Sequence, residues 1–167
     1  MSARSTQPVL VADIGGTHAR FALARPGETK PDSPTVLMTA LYPTLEDALK
    51  TFLDQAGNPD IGGVAICAAG PVQAAGREAH IEMTNCPWVV SADAIAAATC
   101  VDAPMLVNDF TAVAVSLPHL GDDDVVQIGG SKRQEGAPIG VLGPGTGLGV
   151  SGLVPHLDGE FTALSGE

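Results

Sequence analysis

The chain holds 167 residues, of which 45% are hydrophobic and 16% charged, with a mean hydropathy of +0.23. That suffices for one domain with a real core, or for one domain and part of another, and it excludes a disordered chain. A net charge of -11 and a pI near 4.5 repel DNA, RNA and anionic lipid, so nucleic-acid and membrane partners are not expected.

In chain order, the pattern predicts paired strands at Val9–Asp13 and Ala19–Ala24 around Gly15-Gly16. A Pro-rich, charged loop follows over Arg25–Pro34, then a third strand over Thr35–Leu41. A helix is expected over Thr44–Gln55, with Thr44 as N-cap, Glu46 and Asp47 in the first turn and Gly57 after the end. Its residues Leu45, Ala48, Leu49, Phe52 and Leu53 mark one buried face.

Ile61–Ala68 reads as a buried strand ended by Gly70-Pro71, and Glu78–Met83 as another. Ser91 caps an Ala-rich helix through about Thr99. Met105–Val107 is a short strand running into Asn108-Asp109, and Phe110–Leu117 is helical. After Pro118 and an acidic turn at Gly121–Asp124, four strands are expected: Val125–Ile128, Ile139–Leu142, Leu148–Val154 and Phe161–Leu164. This order implies an α/β lobe over 1–118 and the incomplete start of a second over 119–167. So short a second part needs further cover for its sheet.

Cys67, Cys86 and Cys100 are odd in number and lack C-x-x-C spacing, which argues against a disulfide framework or a zinc site and suits a reducing cytosol. His18, His80, His119 and His156 are too scattered to suggest a metal site. The apolar run after Arg4 is short and broken by Asp13, unlike a signal peptide, and no apolar stretch is long enough to span a membrane. The expected location is the cytoplasm.

Two glycine-rich segments echo each other at a shift of 130 positions: VADIGGTHA from Val11 lies over VLGPGTGLG from Val141. Two related hairpins suggest two related domains, although any two Gly-rich hairpins share some likeness. Glycine turns let successive N–H groups approach an anion, and a carboxylate beside one suits Mg²⁺. Only the first turn has such an acid, Asp13, where the second has Gly143. Read from Gly143 or from Gly145, G-x-G-x-x-G fails because Leu148 or Val150 occupies its last position, and the absence of a Gly-Lys pair excludes a Walker P-loop.

Asn108-Asp109 lies where a strand gives way to a helix. Such a pair can hydrogen-bond a polyhydroxylated ligand and take a proton from one of its hydroxyls. The bland alternative is that Asp109 caps the helix.

Together ADIGGTHARFAL, AICAAGPV, MTNCPWVVS, LVNDFTAVA, GPGTGLGVSGLV and the terminal LSGE resemble the bacterial glucokinase family, within the sugar-kinase, Hsp70 and actin superfamily. The resemblance covers nearly the whole chain. It implies a ribonuclease H-like (actin-like ATPase) α/β fold with a mixed β-sheet and flanking helices, followed by the first strands of a second such domain. It implies ATP-dependent phosphorylation of glucose to glucose 6-phosphate, in glycolysis. Ala12, Asp13, Ile14, Gly15, Gly16 and Thr17 would form the first phosphate site and Gly145, Thr146 and Gly147 the second. Asp13 would hold Mg²⁺ through water. Asn108, Asp109 and Glu167 would bind glucose, with Asp109 the general base. The segments at Gly70-Pro71 and Asn85–Trp88 would line or brace the cleft.

His18 stands where the family often has Asn. The chain also stops at Glu167, inside a family stretch reading roughly Gly-Glu-Gly-Gly-His. The expectation is therefore an N-terminal half whose activity alone is open, with a non-catalytic fragment or half of a split glucokinase as the alternative. Its partners would be glucose, ATP, and the missing C-terminal half or a homodimer partner. A sugar-sensing regulator is disfavoured because only Met1–Pro8 precede the first motif.

Overall fold

The computed structural model describes residues 6–28, 30–130, 134–144 and 148–165. The chain divides into two compact units, Met1–Val107 and Asn108–Glu167. The candidate residues Gly145, Thr146, Gly147 and Glu167 lie outside the described residues.

The first unit is built on strands β1 (Val9–Ile14), β2 (His18–Ala24), β3 (Thr35–Met38), β4 (Gly63–Ala68) and β7 (Met105–Asn108), whose last residue opens the second unit. The sheet is mixed, in the order β3-β2-β1-β4-β7. β1 pairs antiparallel with β2, β2 antiparallel with β3, and β1 parallel with β4. A separate ribbon pairs β5 (His80–Glu82) with β6 (Val89–Ser91).

Helix α1 (Leu45–Gln55) starts where expected, because the Thr44 hydroxyl accepts the N–H of Asp47. Helix α2 (Ala92–Thr99) starts the same way, with the Ser91 hydroxyl accepting from Ala94. One stripe of α1, made by Leu45, Ala48, Leu49 and Phe52, is buried. It joins Leu10, Ile14, Phe21 and Ile66 of the sheet and Ile95 of α2 in one core. Phe21 and Phe52 stack with ring centroids 5.4 Å apart. Each such large side chain contributes roughly 1.5–3 kcal/mol on burial.

Strand alternation places the first candidate acid. In β1 the residues Leu10, Ala12 and Ile14 are buried while Val9, Val11 and Asp13 are half-buried on the opposite face. β4 repeats the pattern, with Val64, Ile66 and Ala68 buried. Asp13 and Cys67, register partners across the parallel pair, therefore share the face away from the core.

The second unit packs α3 (Asp109–Ser116) against an antiparallel sheet of β8 (Ile139–Pro144), β9 (Leu148–Pro155) and β10 (Phe161–Leu164), ordered β10-β9-β8.

Four expected elements differ. Thr35–Leu41 is a strand only to Met38, because Thr39–Leu41 turns into a 3₁₀ helix. Within Glu78–Met83 only His80–Glu82 is strand. Val125–Ile128 is not a strand: Val126 and Ile128 are 86% and 95% exposed. Gly129-Gly130 follows, and among the described residues no neighbouring strand offers the ladder that an apolar run needs. The helix after Met105–Val107 is capped by Asn108, not by Asp109.

Candidate functional site

The first candidate turn closes tightly. The N–H of Gly15 donates to the carbonyl of His18 at 2.9 Å. This sets Ile14 opposite Ala19 and Asp13 opposite Arg20. The corner residues Gly16 and Thr17 are exposed. Their carbonyls are taken up by Thr39, buried at the end of β3: its hydroxyl donates to Gly16 O at 2.8 Å and its N–H to Thr17 O at 3.1 Å. The N–H groups of Gly16 and Thr17 donate to no described residue. Outward N–H groups over tied-down carbonyls can accept an anion.

Neither Gly15 nor Gly16 has a positive φ. What the turn requires of Gly16 is room. A Cβ there would lie 3.0 Å from the carbonyl oxygen of Asn85 and 3.2 Å from its Cβ. The segment pressing on the turn is fixed by Cys86 and Trp88, both buried, and by the Trp88 indole N–H donating to the carbonyl of Tyr42 at 3.1 Å. Gly70 is likewise constrained: it has φ +140°, and a Cβ would meet the Glu82 carbonyl at 3.0 Å. The Asn85–Trp88 segment thus braces the turn, while Gly70 lies close against β5.

Asp13 is half exposed and ion-paired across the hairpin. Arg20 Nη1 donates to Asp13 Oδ2 at 2.9 Å, with both side chains 49% exposed. The Cys67 thiol lies 3.8 Å from Asp13 Oδ1, as a donor. A pair this open adds roughly 0–1 kcal/mol, so its stronger effect is to fix where the carboxylate points. Arg20 is legible in retrospect, because a tight turn at Gly16-Thr17 sets Asp13 opposite it. Ala12 and Ile14 point into the core, 8% and 1% exposed, and can meet a ligand only through their backbone.

In the second unit, Asn108 Oδ1 accepts the N–H groups of Phe110 and Thr111 at 3.0 and 3.1 Å, a two-bond cap on α3. Asp109 is the first helical residue. Its Oδ1 accepts the same Phe110 N–H at 2.9 Å, while its Oδ2 takes no hydrogen bond from any described residue. The carboxylate is half-buried in the first turn of the helix. Among the described residues the buried Thr111 hydroxyl also has no partner. A surface depression lined by Leu117, Gln134 and residues 137–140 contains none of the candidate residues.

No helix among the described residues is long and apolar enough to cross a membrane, and they contain no cluster of three His, Cys, Asp or Glu able to hold a metal.

Residues 10–167 match the family model described as Glucokinase. A glucokinase of Paramagnetospirillum magneticum is 46% identical over 164 residues, covering 97% of this chain and 49% of the relative. The crystal structure of a glucokinase from an Antarctic psychrotroph is 30% identical with TM-score 0.81, covering 98% of this chain and 51% of that one. A ROK family glucokinase from Streptomyces griseus, solved in complex with glucose and AMPPNP, is 21% identical with TM-score 0.64, covering 93% and 46%, and shows the shared fold. The chain spans about half the length of the curated glucokinases it matches.

Proposed function

The chain belongs to the glucokinase family, and on that premise we propose that it supplies the general base and phosphate-holding turns for ATP-dependent phosphorylation of glucose at its 6-hydroxyl. The observation that carries the proposal is Asp109: one carboxylate oxygen is fixed by the Phe110 N–H and the other is unbonded by any described residue. In this reading Asp109 Oδ2 takes the 6-hydroxyl proton as that oxygen attacks the γ-phosphorus. The bond from the γ-phosphorus to the β–γ bridging oxygen breaks, and ADP leaves. Asn108 is the adjoining sugar ligand. Glu167 is a further sugar ligand.

The N–H groups of Gly16 and Thr17 are offered to the nucleotide phosphates, Gly15 closes the turn by its own N–H bond to His18, and Ala12 and Ile14 contribute backbone alone. Gly145, Thr146 and Gly147 form the second phosphate turn. Asp13 suits Mg²⁺ held through water, because this ion keeps most of its waters and takes one or two carboxylates together with substrate phosphates. When bound, the metal supplies charge neutralisation to the transferring phosphoryl group. Arg20 keeps the Asp13 carboxylate aimed.

The same reading takes the five-stranded sheet as an actin-like ATPase domain, supported by its strand order and by antiparallel β1–β3 followed by parallel β4. It places the lobes at 1–118 and 119–167. The compact units divide earlier, before α3, because α3 packs on β8, β9 and β10. A cytoplasmic enzyme completed by a C-terminal half or a second copy belongs to the same proposal.

The test is glucose-dependent ADP release, measured for this chain alone and for the chain joined to the C-terminal half of a family member. D109N is expected to lower kcat about 10²–10⁴-fold. Absence of glucose-dependent ADP release in both forms would end the reading.

A further inference from the structure

Phe110 immediately follows the proposed base, and its ring has a seat of its own. Gly143 of β8 and Gly149 of β9 are register partners across the hairpin that flanks residues 145–147. A Cβ added to either glycine would overlap the Phe110 ring, closer than any real carbon contact. The paired glycines therefore form a bare patch two strands wide, and the ring fills it. Phe110 is also the residue whose N–H is shared by Asn108 Oδ1 and Asp109 Oδ1, at 3.0 and 2.9 Å. One residue thus holds both candidate side chains by its backbone and grips the hairpin by its ring.

Packing alone does not require this arrangement, since an apolar helix can sit on a sheet of ordinary side chains. Two glycines facing each other in neighbouring strands weaken a sheet, and such a pair marks a site of close approach. We infer that Phe110 is a positioning residue: its ring, keyed between Gly143 and Gly149, fixes the first turn of α3 and hence the Asp109 carboxylate on the β8–β9 pair. The inference rests on the proposed function for its kinetic consequence, and on geometry alone for its structural one.

The test is a double-variant cycle on Phe110 and Gly149 in the form of the chain that releases ADP, read by kinetics and by NMR. G149A displaces the ring. It should lower kcat by about 10–100-fold, the cost of a misplaced reacting group, with KM for ATP changed less than about twofold. F110L, which keeps an apolar side chain without the flat ring, should do the same if G149A does not fold. The F110L/G149A pair should be no worse than the poorer single variant, because both break one contact. The amide resonances of Phe110 and Thr111 should shift in G149A, which displaces the ring without replacing it. Unchanged kcat in F110L, or unchanged Phe110 and Thr111 amide resonances in folded G149A, would overturn the inference, as would full additivity of the two substitutions. If the unsubstituted chain releases no ADP with glucose, the functional reading fails by itself. The amide shifts and the unfolding free energies of the cycle then decide the positioning role.

Discussion

Gly16→Ala separates two accounts of why the first turn is bare. If the glycine were needed for backbone conformation, the cost would come from φ. Gly16 is not in the left-handed region, so that cost is absent. The new Cβ instead meets Asn85 at 3.0 Å (carbonyl oxygen) and 3.2 Å (Cβ). Relief needs a few tenths of an ångström from backbone that Trp88 and Cys86 anchor in the core. Overpacking of that kind costs about 1–3 kcal/mol. Gly27→Ala is the control: it has φ +89° with nothing within 4 Å, so its cost is backbone strain with no clash. Urea unfolding of both variants measures the difference. A Gly16→Ala loss below about 0.5 kcal/mol, the usual scatter of a surface substitution, would refute the claim that Asn85 dictates the glycine.

Asn108→Ala should cost about 0.5–2 kcal/mol through the lost cap, and Asn108→Asp less, since Asp caps as well. Both should raise KM for glucose in the active form, because both alter the proposed sugar ligand. R20M should change unfolding free energy by less than about 1 kcal/mol, an effect that fades with added salt, since the pair with Asp13 is half exposed. Ile66→Ala, at a fully buried position of β4, should cost about 2–5 kcal/mol in the same unfolding assay.

The elements with strong local signals were legible. The β1–β2 hairpin followed from two apolar runs around Gly15-Gly16, and α1 from the Thr44 cap with its helical stripe. Where the outcome depended on distant partners, the sequence was ambiguous. Val125–Ile128 has the composition of a strand but, among the described residues, no ladder beside it. β6 is three residues long and runs straight into the Ser91 cap, so it has no period of its own. The cap on α3 could be assigned to Asn108 or Asp109 from residue type alone, and only hydrogen-bond geometry separates them. Of the candidate site, the turn and the Asn108-Asp109 pair were visible as motifs. Thr39, Asn85 and the Phe110 seat were not, because each acts across a gap in sequence that only folding closes.

The chain contains one tryptophan. Trp88 is shielded from water and lies three positions beyond the residue that leans on the Gly16 corner. Tryptophan fluorescence, excited beyond the absorption of Tyr42, therefore comes from a single emitter at one known place. Loosening of the first unit around that corner should move its emission to longer wavelength. The protein carries an optical gauge for its own Gly15-Gly16 bend, and no label is needed to read it.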